Sequence, residues 1–296
     1  MYNSEFYVPS HITGFFVPFF NKNILKTGST GAGVSLSKGV RTKIKIKEGI
    51  ESTNVILNGK RVSNNKVPVT LNCIKILNSR YPRYFKNKEI IIEHECHVPI
   101  EAGFGASAAA ALGICFAVKD LIPITPEECI KIAHETEVIS LSGLGDVVAI
   151  VKGGVEIRRT PGISGLLKNI ELKEKLEVLA LSLGSKKTEN ILNNPEKLKI
   201  IEEYGSRLLN NLIEEQTVEK LMECSREFTY KTEIMSKQVL DITDIISEVN
   251  TYNASGIMIG DGVFTFVNDK DKVKVLNTLK DIKGEVIISS IANSLL

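Results

Sequence analysis

The chain has 296 residues, 43% hydrophobic and 24% charged, the balance of a soluble globular protein with one large domain or two ordinary ones. Its 37 basic and 35 acidic residues leave a net charge of +2, which gives no bulk attraction for nucleic acid, and no apolar run reaches the roughly 18 residues of a membrane span. The 5 cysteines, at 73, 96, 115, 129 and 224, show no CxxC spacing, so they read as reduced thiols and a cytoplasmic location is expected.

In chain order, "MYNSEFYVPSHITGFFVPFF" is apolar but lacks a basic leader and contains two prolines, so it is not expected to be a signal peptide. "GVRTKIKIKEG" alternates Lys or Thr with Ile, the period of a half-buried strand. "NVILNGKRV" predicts two short strands about an Asn-Gly turn, and "NKEIIIEHECHV" predicts another strand ahead of Pro99. A glycine-rich loop follows, then a helix from about Ser107 to Lys119. "TPEECIKIAHETEVIS" opens as a helix does, with Thr, Pro and two Glu. "VVAIVKGG" and "VEIRR" read as strands, and so does "EKLEVLALSLG". Between them a polar break at 160–174, containing "TPGISG", is the candidate boundary between domains 1–162 and 163–296. The chain is helical from about 196 to 248 and closes strand–helix–strand with "SGIMIGDGVFTFV", "DKVKVLNTLKDI" and "GEVIISSI". Long helices mixed with antiparallel-type strands predict an α+β fold.

"PIEAGFGASAAAALG", residues 99–113, carries the chemistry. Gly103 and Gly105 permit a sharp turn and close ligand approach. The helix behind them is apolar nearly all round and so buried, and its N-terminus offers free N–H groups and partial positive charge to an anion such as phosphate. The plainer reading is a turn capped by Ser107 ahead of a core helix. A Walker A loop is absent, since "GSTGAGVS" has glycines without lysine. Gly103, Gly105 and Ala108 fit G-x-G-x-x-A, but "KDLIPITPEEC" offers no second strand, which excludes a dinucleotide fold.

The stretch resembles the P-x-x-x-G-[LIV]-G-S-S-A loop of the GHMP kinases, with Ala106 in place of the first serine and Ser107 as the second. "IAHETEVI" then supplies Glu137 at the family's magnesium-binding glutamate, and "SLSGLGDVVA" supplies Asp146 at its aspartate. "VPSHITGFFVP", "LKTGSTGAGVSL", "AHETEV", "GLGDVVA", "VEIRRTPG" and "NASGIMIGDG" are similar to the archaeal-type pantoate kinase branch. The resemblance implies a two-domain fold, an N-terminal domain like ribosomal protein S5 domain 2 and a ferredoxin-like C-terminal domain. It implies transfer of the γ-phosphoryl group of ATP to the 4-hydroxyl of pantoate, for coenzyme A synthesis. ATP phosphates would lie on Gly103, Phe104, Gly105, Ala106 and Ser107. A homodimer is a further expectation.

Residue chemistry agrees with this. Ser107 and Glu137 offer hard oxygens suited to Mg²⁺, and Asp146 can orient a hydroxyl and accept its proton. A carboxylate substrate needs a cation; Arg158 can grip one with two hydrogen bonds, or form a surface ion pair with Glu156 while Val155 and Ile157 face the core. His134, one turn before Glu137, and Ser29 are further substrate-binding candidates; a hydrogen-bonded structural histidine and an ordinary turn serine are the plainer readings. "EHECH" at 93–97 is not expected to bind metal, because a strand sends His94 and Cys96 one way and Glu93, Glu95 and His97 the other. Another small alcohol as substrate (homoserine, mevalonate or a sugar) and a non-catalytic nucleotide-binding relative stay open.

Overall fold

Two sheets organise the computed structural model, which describes residues 1–185 and 194–296. The larger contains β1 (Tyr2–Phe19), β2 (Gly28–Glu48), β3 (Ser52–Leu57), β4 (Lys60–Val62), β5 (Lys88–Cys96), β6 (Val155–Arg158) and β7 (Leu167–Asn169). Its order is β4-β3-β5-β2-β6-β7, with β1 paired to β2. The smaller contains β8 (Glu177–Gly184), β9 (Ser255–Gly256), β10 (Asp261–Val267) and β11 (Glu285–Ser290), ordered β11-β8-β10-β9.

The strand β2 holds the larger sheet together. β1 pairs along one edge of it, from Tyr2 opposite Ile46 to Phe19 opposite Gly28. The other edge meets β5 at residues 40–48 and β6 at residues 31–34. The N-terminal segment, apolar but not foreseen as a strand, thus forms an 18-residue one. Its β-branched and aromatic residues favour this, and Pro9 and Pro18 are tolerated because β2 is its only strand partner among the described residues. Register shifts after Pro9 and after Thr13 bend it. The β3–β4 hairpin turns at Asn58 and Gly59, both with positive φ, as the Asn-Gly dipeptide predicts.

The helices are α1 (Pro68–Arg80), α2 (Pro82–Phe85), α3 (Ala106–Ala117), α4 (Pro126–Ser140), α5 (Asp146–Lys152), α6 (Pro195–Glu214), α7 (Val218–Lys231), α8 (Lys237–Val249) and α9 (Asp269–Leu279). The small-residue helix α3 lies on β1 and β2, with every residue from Ala108 to Ala117 buried. A Cβ on Gly113 would collide with Thr42 Oγ1, which shows how closely helix and sheet approach. α4 starts at Thr125, whose hydroxyl accepts the Glu128 N–H, with Pro126 in the first turn.

One expected element is corrected. "VVAIV" is not a strand; it is most of α5, bracketed by Gly145 and Gly153. A short apolar run does not separate a buried strand from a buried helix, and Val147, Val148, Ala149 and Ile150 are all buried. The left-handed Gly153 and Gly154 then turn the chain back into β6.

From β8 onward the chain runs strand, helices α6–α8, β9, β10, α9 and β11, the β-α-β-β-α-β succession of a ferredoxin-like fold. Helices α8 and α9 cover one face of this sheet. The other face joins a core shared with the larger sheet, in which Ile12, Phe15 and Phe16 of β1 pack with Leu208, Phe228 and Phe264.

Candidate active site

The segment after β5 leaves regular structure and passes through three left-handed residues, Glu101, Gly103 and Gly105. Gly103 needs its lack of side chain twice over: its φ is +82°, and a Cβ would lie 2.7 Å from the Met258 carbonyl oxygen. The "NASGIMIGDG" segment is therefore pressed against this loop. Gly105 stands at the N-cap of α3 without a capping side chain, so the N–H groups of the first turn stay open. They border a cavity of about 720 Å³, lined by Gly103, Phe104, Gly105, Ala106 and Ser107. The lining is mixed: Leu57, Val62, Val67 and Pro68 are apolar, Asn65 and Lys66 stand among them, and Ser29, residues 142–145 and Asp146 also line it.

Glu137, on α4, is buried against Gly143 of that lining. Its Oε1 accepts from Ser142 Oγ at 2.7 Å, Ser107 also bonds to the carboxylate, and Oε2 has no partner. Burial pushes its pKa up to about 7, opposed by the Ser142 and Ser107 bonds and aided by the Asp146 charge. A Cβ on Gly143 would strike Glu137 Oε2 and lie 3.0 Å from Asp146 Oδ2, so both carboxylates look onto this glycine. The orphaned buried Glu137 oxygen and the Ser107 hydroxyl match what Mg²⁺ takes from a protein when phosphates supply its other ligands.

Asp146 opens α5 with its side chain 22% exposed. Its Oδ1 lies 2.7 Å from His11 Nδ1. His11 Nε2 lies 3.2 Å from both Glu156 oxygens, and Glu156 accepts from Arg158 Nη1. Arg158 is buried, not paired with Glu156 at the surface: β6 runs between β2 and β7, and all four of its residues are buried. Arg158 Nε and Nη2 have no partner, and Ser29 Oγ and Arg158 Nε converge on Gly145, where a Cβ would strike both. Ser29 lies on β2, not in a turn, and faces the cavity. His134 is buried away from the cavity lining; its Nε2 donates to the Thr27 carbonyl at 2.9 Å, two residues before Ser29, and burial lowers its pKa.

His94 lies buried between Thr42 and Thr70, with its two nitrogens 2.9 and 3.0 Å from their hydroxyls. Glu95 instead faces Arg41 and His97. Among the described residues no three His, Cys, Asp or Glu side chains cluster to hold a metal.

Sequence reasoning missed His11 altogether and read Glu156 only as a surface partner. His11 is one of four histidines and sits in the quoted "VPSHITGFFVP", but its partners lie 135 and 145 residues away.

The family description "GHMP kinases N terminal domain" matches residues 69–154. A pantoate kinase of Thermococcus kodakarensis is 34% identical over 279 residues, 93% of this chain and 91% of that protein. One of Methanocaldococcus jannaschii is 32% identical over 275 residues, 93% and 97% of the two. Among solved structures, a phosphotransferase related to the CoA biosynthesis pathway superposes with a TM-score of 0.89 at 31% identity, covering 99% of this chain and 97% of that one. The mevalonate kinase of Methanococcus jannaschii superposes at 0.69 with 17% identity, covering 99% of both chains, and shares the fold. Relatives above 30% identical along more than nine-tenths of the chain, on the two-domain architecture described, leave one assignment: this chain belongs to the pantoate kinase family of the GHMP kinases.

Proposed function

We propose that this chain transfers the γ-phosphoryl group of ATP to the 4-hydroxyl of pantoate, giving 4-phosphopantoate and ADP on the route to coenzyme A. The observation that carries this reading is the convergence, on one cavity, of an open helix N-terminus, the partly exposed Asp146 carboxylate and Ser29, with Arg158 buried behind Gly145 of the lining and two of its donors unpartnered. In the transfer, the substrate oxygen bonds to the γ-phosphorus, the bond to the bridging oxygen of ADP breaks, and the hydroxyl proton passes to Asp146. The loop from Gly103 to Ser107 holds the phosphates. Ser107 and Glu137 hold Mg²⁺, which when bound neutralises phosphate charge. Arg158 and Ser29 take the substrate carboxylate. His134 contributes through the Thr27 carbonyl, by fixing the strand that carries Ser29. Residues 1–162 bind both substrates, and residues 163–296 close the cleft through the 253–262 segment. The reading carries a cytoplasmic location and a homodimer with it.

ADP release with ATP and Mg²⁺, measured over pantoate, homoserine, mevalonate and a sugar, tests it. Pantoate is expected to give the highest kcat/KM. A higher value for another alcohol reassigns the substrate, and no ADP with any of them overturns kinase activity.

A further inference from the structure

His11 is fully buried on β1 and makes three connections. Its backbone N–H donates to the Phe104 carbonyl in the phosphate loop at 3.1 Å, and its ring meets Asp146 on one nitrogen and Glu156 on the other. Its surroundings make room for the ring. A Cβ on Gly33 of β2 would lie 2.5 Å from His11 Nε2, and one on Gly105 would lie 3.3 Å from the His11 carbonyl oxygen.

A neutral imidazole has one N–H, so one of its nitrogens would turn a lone pair on a carboxylate. Only the doubly protonated ring donates to Asp146 and Glu156 together. The charged groups facing it are Asp146 from α5 and Glu156 from β6, with Arg158 behind Glu156. Burial alone would lower the pKa of the ring, but the Glu156 charge and the hydrogen bonds to both carboxylates outweigh it and raise it.

The two arms have different consequences. Asp146 is held by one oxygen, which leaves Oδ2 for an acceptor hydroxyl. Glu156 is shared between His11 and Arg158. Arginine and carboxylate prefer to meet through two parallel bonds; here only Nη1 of Arg158 meets Glu156, both of whose oxygens face His11 Nε2, and Nε and Nη2 have no partner. We propose that His11 is a positioning residue for both ends of the substrate, orienting Asp146 toward the acceptor hydroxyl through Nδ1 and, through Nε2 and Glu156, keeping two donors of Arg158 available to the substrate carboxylate. This rests on the pantoate kinase reading above.

Two substitutions separate the arms. His11→Asn keeps a donor near the Nδ1 position, and His11→Gln keeps one near Nε2. ADP formation is measured at varied pantoate and at varied ATP. His11→Asn is expected to raise the pantoate KM about tenfold with kcat within a few-fold, and His11→Gln to lower kcat about 10²-fold with a smaller KM change. The KM for ATP stays nearly constant in both. Equal losses in both variants, or none, overturn the proposal, since a merely structural histidine makes no such split. Nitrogen NMR of the unmodified enzyme, which needs no variant to fold, is expected to show the His11 ring doubly protonated at pH 7; a neutral ring there also overturns it. If the unmodified enzyme prefers another alcohol, the function reading fails by itself and the same split is read with that alcohol.

Discussion

Glu137 combines complete burial, a pKa pushed up to about 7 and an oxygen without a partner, a combination that disfavours a carboxylate unless a cation compensates it. Ser107 sits beside it at the first turn of α3. If the pair holds Mg²⁺, Ser107→Ala and Glu137→Gln lower kcat by roughly 10²–10³ and raise the Mg²⁺ needed for half-maximal rate. Titrating ADP formation with Mg²⁺ checks this, and wild-type rates and Mg²⁺ dependence in both variants would remove the metal assignment. These residues were legible in the sequence because each stands at a fixed offset within its own motif. The sequence singled out Ser29 and Arg158 as candidate substrate ligands without showing that Ser29 lies on a strand and that Arg158 is buried.

At the scale of elements, His94 joins three of them: it lies on β5 and touches Thr42 of β2 and Thr70 of α1. Burial lowers its pKa from 6.5 to about 4. Below pH 6.5 the unfolded chain takes up a proton at this site that the folded chain refuses. The shift therefore costs nothing at pH 7, and stability falls as pH drops through the window from 6.5 to 4, by about 3 kcal/mol at the lower end. Urea unfolding at pH 7, 5 and 4 measures it against His94→Gln, which lacks the titration. The unmodified protein is expected to lose about 3 kcal/mol more than the variant across that range, and a constant difference would show that His94 is not held neutral. Most elements were readable from local pattern: the Asn-Gly hairpin, the Thr-Pro start of α4, the alternation of β2. The helix α5 was not, because a few apolar residues between glycines suit a buried strand equally well, and only its packing decides.

On the whole-molecule scale, β1 is shared property. One part of it pairs beneath α3, and Phe15 and Phe16 meet Phe228 of α7 at ring distances of 6.2 and 5.9 Å. Removing residues 163–296 would expose Ile12, Phe15, Phe16 and Val34, each worth roughly 1.5–3 kcal/mol when buried, against a usual total stability of about 5–15 kcal/mol. A 1–162 fragment is expected to show no cooperative unfolding transition by circular dichroism, whereas a sharp one would establish an independent N-terminal domain. The sequence by itself determined the α+β class and the glycine-rich loop with its buried helix, and it singled out Ser107, Glu137 and Asp146 as candidates, because these depend on residues a few positions apart. Only the tertiary structure decided that Arg158 is buried with free donors and that His11 bridges Asp146 and Glu156. Those contacts follow from the register of β1 on β2 and of β2 on β6, set by side-chain packing across the whole sheet, which no local pattern contains.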